Sequence, residues 1–217
     1  MKVVIQCAAK KDPGAGSLID AHGKPVLFVA NPGLAPHSDT HVYARPDDPV
    51  GNGKTWRDLL VDYNAAGANR SQLLPAYRLY RHPVYRQLVE RYGVDNVFIL
   101  SAGWGLIRAD FLTPKYDITF SASADKFKKR SKRDRYNDFQ MLPDDSDEEV
   151  VFFGGKDYLP LFCGLTKGYR AERIVYYNSA SPPEIPGCTL IRYPTTTRTN
   201  WHYGCASDFM AGKIGIL

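Results

Sequence analysis

A mixed α/β domain built on a mostly parallel central sheet, with helices on both faces, is what this sequence predicts. Three observations carry the expectation. Short apolar runs recur at residues 3–6, 97–100, 150–153 and 173–177. Stretches with apolar residues at helical spacing separate them. Each run stops at small, polar or glycine-rich residues. Strands that alternate with helices specify parallel pairing, because the chain must cross back before the next strand starts.

The elements follow in order. Residues 3–6 read as a first strand, broken by the loop Ala8-Ala9-Lys10-Lys11-Asp12-Pro13-Gly14, and residues 26–30 as a second apolar run. Residues 31–53 are rich in Pro, Gly, Asp and His and read as a long surface excursion. Thr55 can cap a helix whose Trp56, Leu59, Leu60 and Tyr63 share one face. Residues 73–92 read as helical with a break at Pro83, ended by Gly93. A strand at 97–100 leaves through Ser101-Ala102-Gly103-Trp104-Gly105. The strand 150–153 is stopped by Gly154-Gly155, and Tyr158, Leu161, Phe162 and Leu165 mark the next helix. A strand at 173–177 ends at Asn178-Ser179, and 189–192 reads as the last strand. Trp201, Cys205 and Phe209 indicate a C-terminal helix.

The bulk properties bound the class. With 217 residues the chain suffices for one domain, 1–217, and is thin for two. No apolar run approaches the roughly 18 residues of a membrane span, and polar residues arrive too early for a signal peptide, so a cytoplasmic protein is expected. Cys7, Cys163, Cys188 and Cys205 form no paired motif, which points to reduced thiols and to no metal site. The net charge of +5 is concentrated. Lys126, Lys128, Lys129, Arg130, Lys132, Arg133 and Arg135 face a single Asp134, and the rest of the chain is near neutral. Such a segment suits phosphates, with Phe127 and Tyr136 at its edges to stack on bases; the plain alternative is a solvated charged face.

Pro75-Ala76-Tyr77-Arg78-Leu79-Tyr80, then Leu100-Ser101-Ala102-Gly103-Trp104-Gly105-Leu106, then Tyr116-Asp117 form a distinctive order. It resembles a bacterial domain-of-unknown-function family with the pattern PAxxLY, LSAxxGL, P-YD. That family is similar to YaaA-like peroxide-stress proteins, which bind DNA, and to the uracil-DNA-glycosylase-like domain of archaeosine synthase. Some relatives are implicated in phage defence as DNA glycosylases acting on modified bases. The resemblance covers residues 1–180 and is densest from 75 to 120; the 31–53 excursion and the 198–202 segment depart from it. It implies a uracil-DNA-glycosylase-like fold and an N-glycosidase acting on DNA, without metal or redox cofactor.

In open parallel sheets, ligands bind beyond the carboxyl ends of the strands. That rule gathers four loops: 7–11, 101–105, 154–156 and 178–179. Cys7 ends the first strand and is counted with the substrate-binding residues, not as a nucleophile, since it has no obvious histidine partner; Lys10 and Lys11 could hold a phosphate or a carboxylate, or be ordinary surface lysines. Ser101 and Trp104 lie in a flexible turn, where the ring could stack on a flat ligand or pack under the sheet; Tyr116 is the other stacking candidate. Gly154, Gly155 and Lys156 could cradle an anion or form a tight turn. Asn178 and Ser179 could read a base edge. Asp117, then Asp110, are the carboxylates proposed to serve the sugar carbon and its attacking water, against a turn-capping role. His202 could donate a proton or a hydrogen bond to the leaving base, and Asn200 could bind substrate or cap the last helix. The leading expectation is a DNA glycosylase that flips its base into this pocket. The alternatives are a non-catalytic DNA- or nucleotide-binding protein of stress or defence, and a transferase acting on free nucleotides.

Overall fold

A computed structural model describes residues 1–131 and 133–216; Lys132 lies outside the described residues. Seven strands form the central sheet: β1 (Lys2–Gln6), β2 (Val97–Ser101), β3 (Gly105–Arg108), β4 (Phe139–Gln140), β5 (Val150–Phe153), β6 (Arg173–Tyr177) and β7 (Thr189–Arg192). Their spatial order is β4-β3-β2-β1-β5-β6-β7. Pairing is parallel throughout except between β2 and β3, a tight hairpin.

The strands read as unbroken apolar runs because both faces are covered. Val3, Val4 and Ile5 are fully buried, as is all of β5. The helices are α1 (Trp56–Ala65), α2 (Ala76–Leu79), α3 (Val84–Tyr92), α4 (Leu159–Leu165) and α5 (Trp201–Met210). Phe152 stacks on Phe162 of α4, whereas Phe153 meets Phe209 of α5 edge-on. Successive strand residues point to opposite faces, so α4 and α5 cover opposite sides of the sheet. Helix α3 lies on the α5 side, where Tyr92 contacts Phe209. Thr55 caps α1 through a reciprocal capping box with Asp58.

Two stretches differ from the sequence expectation. Within 73–92, Leu74–Pro75 pairs antiparallel with Leu112–Thr113, and helix is confined to α2 and α3. The 31–53 segment is more than an excursion. Its Val42–Ala44 pairs in parallel with Val26–Val29, which also takes Tyr116–Asp117 on its other edge. This small second sheet is pinned to the main one by Arg57, only 4% exposed. Its guanidinium meets Asp47 at 2.7 Å and donates to the Trp104 and Gly103 carbonyl oxygens at 3.0 and 3.2 Å.

Candidate functional site

From β1 the strands run outward through β2, β3 and β4, then restart at β5 on the other side of β1. The loops leaving β1 and β5 therefore diverge, which opens a crevice at the carboxyl ends of the strands. A cavity of about 630 Å3 lies there, lined by residues 6–9, 154–159, 177–179 and 198–203 together with Thr119, Ser121, Ala122 and Pro183. Cys7, Gly154, Gly155 and Lys156 meet Asn178 and Ser179 in it, and Asn200 and His202 close it from the segment that enters α5. Three of the four loops gathered from the sequence thus converge, joined by the last segment.

The crevice is braced from within. The Gln6 side-chain oxygen accepts the Gly155 N–H at 2.6 Å. Gly154 is required by packing, since a Cβ there would sit 2.2 Å from the Phe152 ring. The glycine pair is therefore a tight turn rather than an anion cradle, because the Gly155 N–H is already used and α4 is a short helix. Lys156 stands exposed at the rim. The Asn178 amide donates to the Thr197 carbonyl oxygen at 3.2 Å, which ties the β6 loop to the final segment. Asn200 adopts the left-handed conformation, φ 57°, and makes no side-chain cap bond; asparagine tolerates this region better than most residues.

His202 is 2% exposed and its Nε2 has no hydrogen-bond partner. Burial, followed by the nearby His82, pushes its pKa down to about 3. At neutral pH the ring is an uncharged imidazole. Proton donation from an imidazolium, one role expected from the sequence, is thereby removed, and hydrogen bonding is what remains.

A smaller chamber of about 220 Å3 shares Cys7, Ala8, Ala9, Thr119, Ser121 and Tyr158 with the main cavity and adds Lys11 and Asp117. The three stretches that carry the resemblance meet behind its wall, where the Tyr80 and Tyr116 rings lie under Lys11. The Tyr80 and Tyr116 hydroxyls lie 2.8 Å apart, and Ser101 Oγ donates to Tyr116 at 2.8 Å. Cys7 Sγ lies 3.2 Å from the Tyr158 hydroxyl. Burial holds the Tyr80, Tyr116 and Tyr158 hydroxyls well above the usual phenol range, so they stay protonated. Lys11 Nζ sits 4.0 Å over the Tyr116 ring and donates to the Ala8 and Ala9 carbonyl oxygens at 3.3 and 3.5 Å. Burial lowers the Lys11 pKa, opposed by Cys7 and Asp117 and reinforced by Lys115. Asp117 is ion-paired to Lys128 at 3.1 Å, and Lys128 also holds Asp125 at 3.0 Å.

Several expected site residues are placed elsewhere. Trp104 is fully buried, edge-on to Phe28 at 5.0 Å and stacked on Phe139 at 6.4 Å. Tyr116 is 1% exposed and Ser101 is fully buried. None of the three lines either chamber, and both rings are packed inside the fold; Tyr177 and Tyr203 line the crevice instead. Lys10 is exposed and lines neither chamber. Asp110 follows β3, which runs antiparallel to β2, and so lies at the opposite end of the sheet, ion-paired to Arg108. It is not a site carboxylate.

The basic segment is divided. Arg130, 4% exposed, holds Asp138 at 2.6 and 2.9 Å, donates to the Ala102 carbonyl oxygen at 2.8 Å and lies 3.8 Å from the Tyr136 ring centre. It is an internal brace, not a phosphate contact. Lys126, Lys129, Arg133 and Arg135 are exposed, and Arg135 borders a separate cavity of about 410 Å3. Gln6, Tyr177 and Arg198 line the main cavity without having been singled out from the sequence. Each adjoins a strand end or segment that was, so position at the carboxyl edge was the signal.

Among the described residues, no helix is long and apolar enough to cross a membrane, and no group of His, Cys, Asp and Glu is arranged to hold a metal ion. No protein-family model matches this sequence, and no curated protein or solved structure matches it significantly.

Proposed function

We propose that this chain is an N-glycosidase that removes a base, most simply a modified one, from DNA, in the manner of uracil-DNA-glycosylase-like domains. The observation that carries the reading is the crevice at the β1/β5 switch point, with a carboxylate in the adjoining chamber. It is large enough for a nucleotide and bordered by the aromatic Tyr177 and Tyr203, the amide Asn178, the neutral His202 and the cationic Lys156 and Arg198. A flipped base would enter between the tyrosines, and Asn178 would read its edge. His202 Nε2, as a neutral donor, would hydrogen-bond the departing base. Asp117 would stabilise positive charge developing at the sugar carbon. The exposed residues Lys126, Lys129 and Arg133 would follow the phosphate backbone.

The ion pair between Asp117 and Lys128 favours a second reading, in which the chain binds DNA or a nucleotide without cleaving it. Incubation with unmodified and base-modified duplexes, scored for abasic sites, separates the two. Abasic sites that form with the native chain and with Asp110→Asn, but not with Asp117→Asn, support the glycosidase. Salt-dependent binding without abasic sites on any substrate leaves the binding reading.

A further inference from the structure

We propose that Lys11 is an amine nucleophile that condenses with a sugar aldehyde, namely the open-chain form of an abasic deoxyribose in DNA. The identity of the aldehyde rests on the glycosidase reading; the placement of the amine does not. Lys11 sits in the chamber that shares one wall with the base-sized cavity. A sugar attached to a base in the larger space would present its C1′ towards the smaller one.

The surroundings suit a neutral amine. Lys11 has no ion pair within 4 Å among the described residues, in contrast to Lys128, which holds two carboxylates. Among the described residues its hydrogen-bond acceptors are two backbone carbonyl oxygens at 3.3 and 3.5 Å, long contacts that release the amine at little cost. The aromatic rings of Tyr116 and Tyr80 lie below it at 4.0 and 6.0 Å. Desolvation favours the uncharged, nucleophilic form of a lysine, the usual device of imine-forming enzymes. The lowered pKa of Lys11 agrees with this placement.

The chemistry balances without an oxidant or reductant. The Nζ lone pair adds to the C1′ aldehyde carbon, forming the C–N bond, while the carbonyl oxygen takes up a proton. The resulting carbinolamine loses that oxygen as water, which leaves a C=N bond. Amine and aldehyde give imine and one water. Asp117, which lines the same chamber, can pass the proton between nitrogen and oxygen.

The test uses an oligonucleotide whose abasic site is made beforehand by another route, so base removal by this chain is not required. Added borohydride reduces an imine to a stable amine and yields a covalent protein–DNA adduct on a denaturing gel. The adduct is expected with the native chain and is expected to map to Lys11 by peptide sequencing. Lys11→Arg and Lys11→Met should each reduce it at least tenfold, with folding checked by circular dichroism, while Lys10→Met, at an exposed residue outside both chambers, leaves it unchanged. No adduct from the folded native chain, or an adduct at another amine, overturns the proposal. An adduct at Lys11 in a chain that frees no base from any DNA upholds it and counts against the glycosidase reading instead.

Discussion

The side-chain oxygen of Gln6 accepts the backbone N–H of Gly155 at 2.6 Å, joining the ends of β1 and β5 across the crevice between them. The contact spans 149 residues of sequence, and it sets the distance between the two loops that carry Cys7 and Lys156. Replacing Gln6 by Ala leaves a partly buried N–H without its acceptor. The expected cost is about 1 kcal/mol, or a fall of about 2–4 °C in Tm for a domain of this size. Gln6→Glu keeps the acceptor and should retain most of the stability. Equal melting of native and Gln6→Ala chains would show that the contact braces nothing.

His202 makes stability depend on pH with a definite sign. Its folded pKa, about 3, lies below the unfolded value near 6.5. Between the two, the unfolded chain binds a proton that the folded chain does not. Stability is therefore lost as pH falls from about 6.5 towards 3, by on the order of 3 kcal/mol at pH 4. His202→Gln should flatten this part of the profile. Melting scans across that range decide the matter, as does an imidazole NMR signal that fails to titrate near pH 6.5.

Arg57 should prove structural despite its charge. Arg57→Met would strand Asp47 and leave the Trp104 and Gly103 carbonyl oxygens without their donor. Loss of one partner of a buried pair costs roughly 3 kcal/mol. Chemical denaturation should show an unfolding free energy lower by that amount; a loss under a third of it would mean that residues 31–53 are held by other contacts.

Arg130 and its exposed neighbours should separate in a double measurement. Arg130→Ala is expected to destabilise the fold by about 3 kcal/mol, because Asp138 loses its buried partner. Lys126→Ala, Lys129→Ala and Arg133→Ala should leave Tm unchanged. Each that contacts a DNA phosphate should reduce the slope of log K against log salt by about 0.9. Salt titrations with unchanged slopes in all three would remove this face from any DNA contact.

Much of the sheet was legible because strands buried on both faces cannot hide their composition. The runs at β1, β2, β5 and β6 are continuous and apolar, and the loops leaving β1, β5 and β6 line one cavity. The 101–105 turn misled for a physical reason. A tight hairpin and a strand-to-helix loop share the same small residues, and β3 is only four residues long. The glycines beside Trp104 suggested mobility. They serve close packing instead: a Cβ on Gly105 would lie 2.5 Å from the Phe139 carbonyl oxygen, and one on Gly103 would lie 3.1 Å from Ile118. Asp110 was misplaced by the same error, because the direction of β3 decides which end of the sheet it occupies. The burial of Arg130 could not be read from a run of cations, since nothing local distinguishes the one that finds Asp138.

The central position of β1 bears on how the molecule is made. Its two neighbours, β2 and β5, begin at Val97 and Val150. On the ribosome this apolar strand must wait, unpaired, for roughly a hundred residues to be added on one side and about half as many again on the other. Loop closure over such separations is slow, and a waiting strand of Val3, Val4 and Ile5 is an edge open to aggregation. Polar substitutions within it should therefore lower the yield of soluble protein during synthesis by more than their effect on the finished fold would suggest.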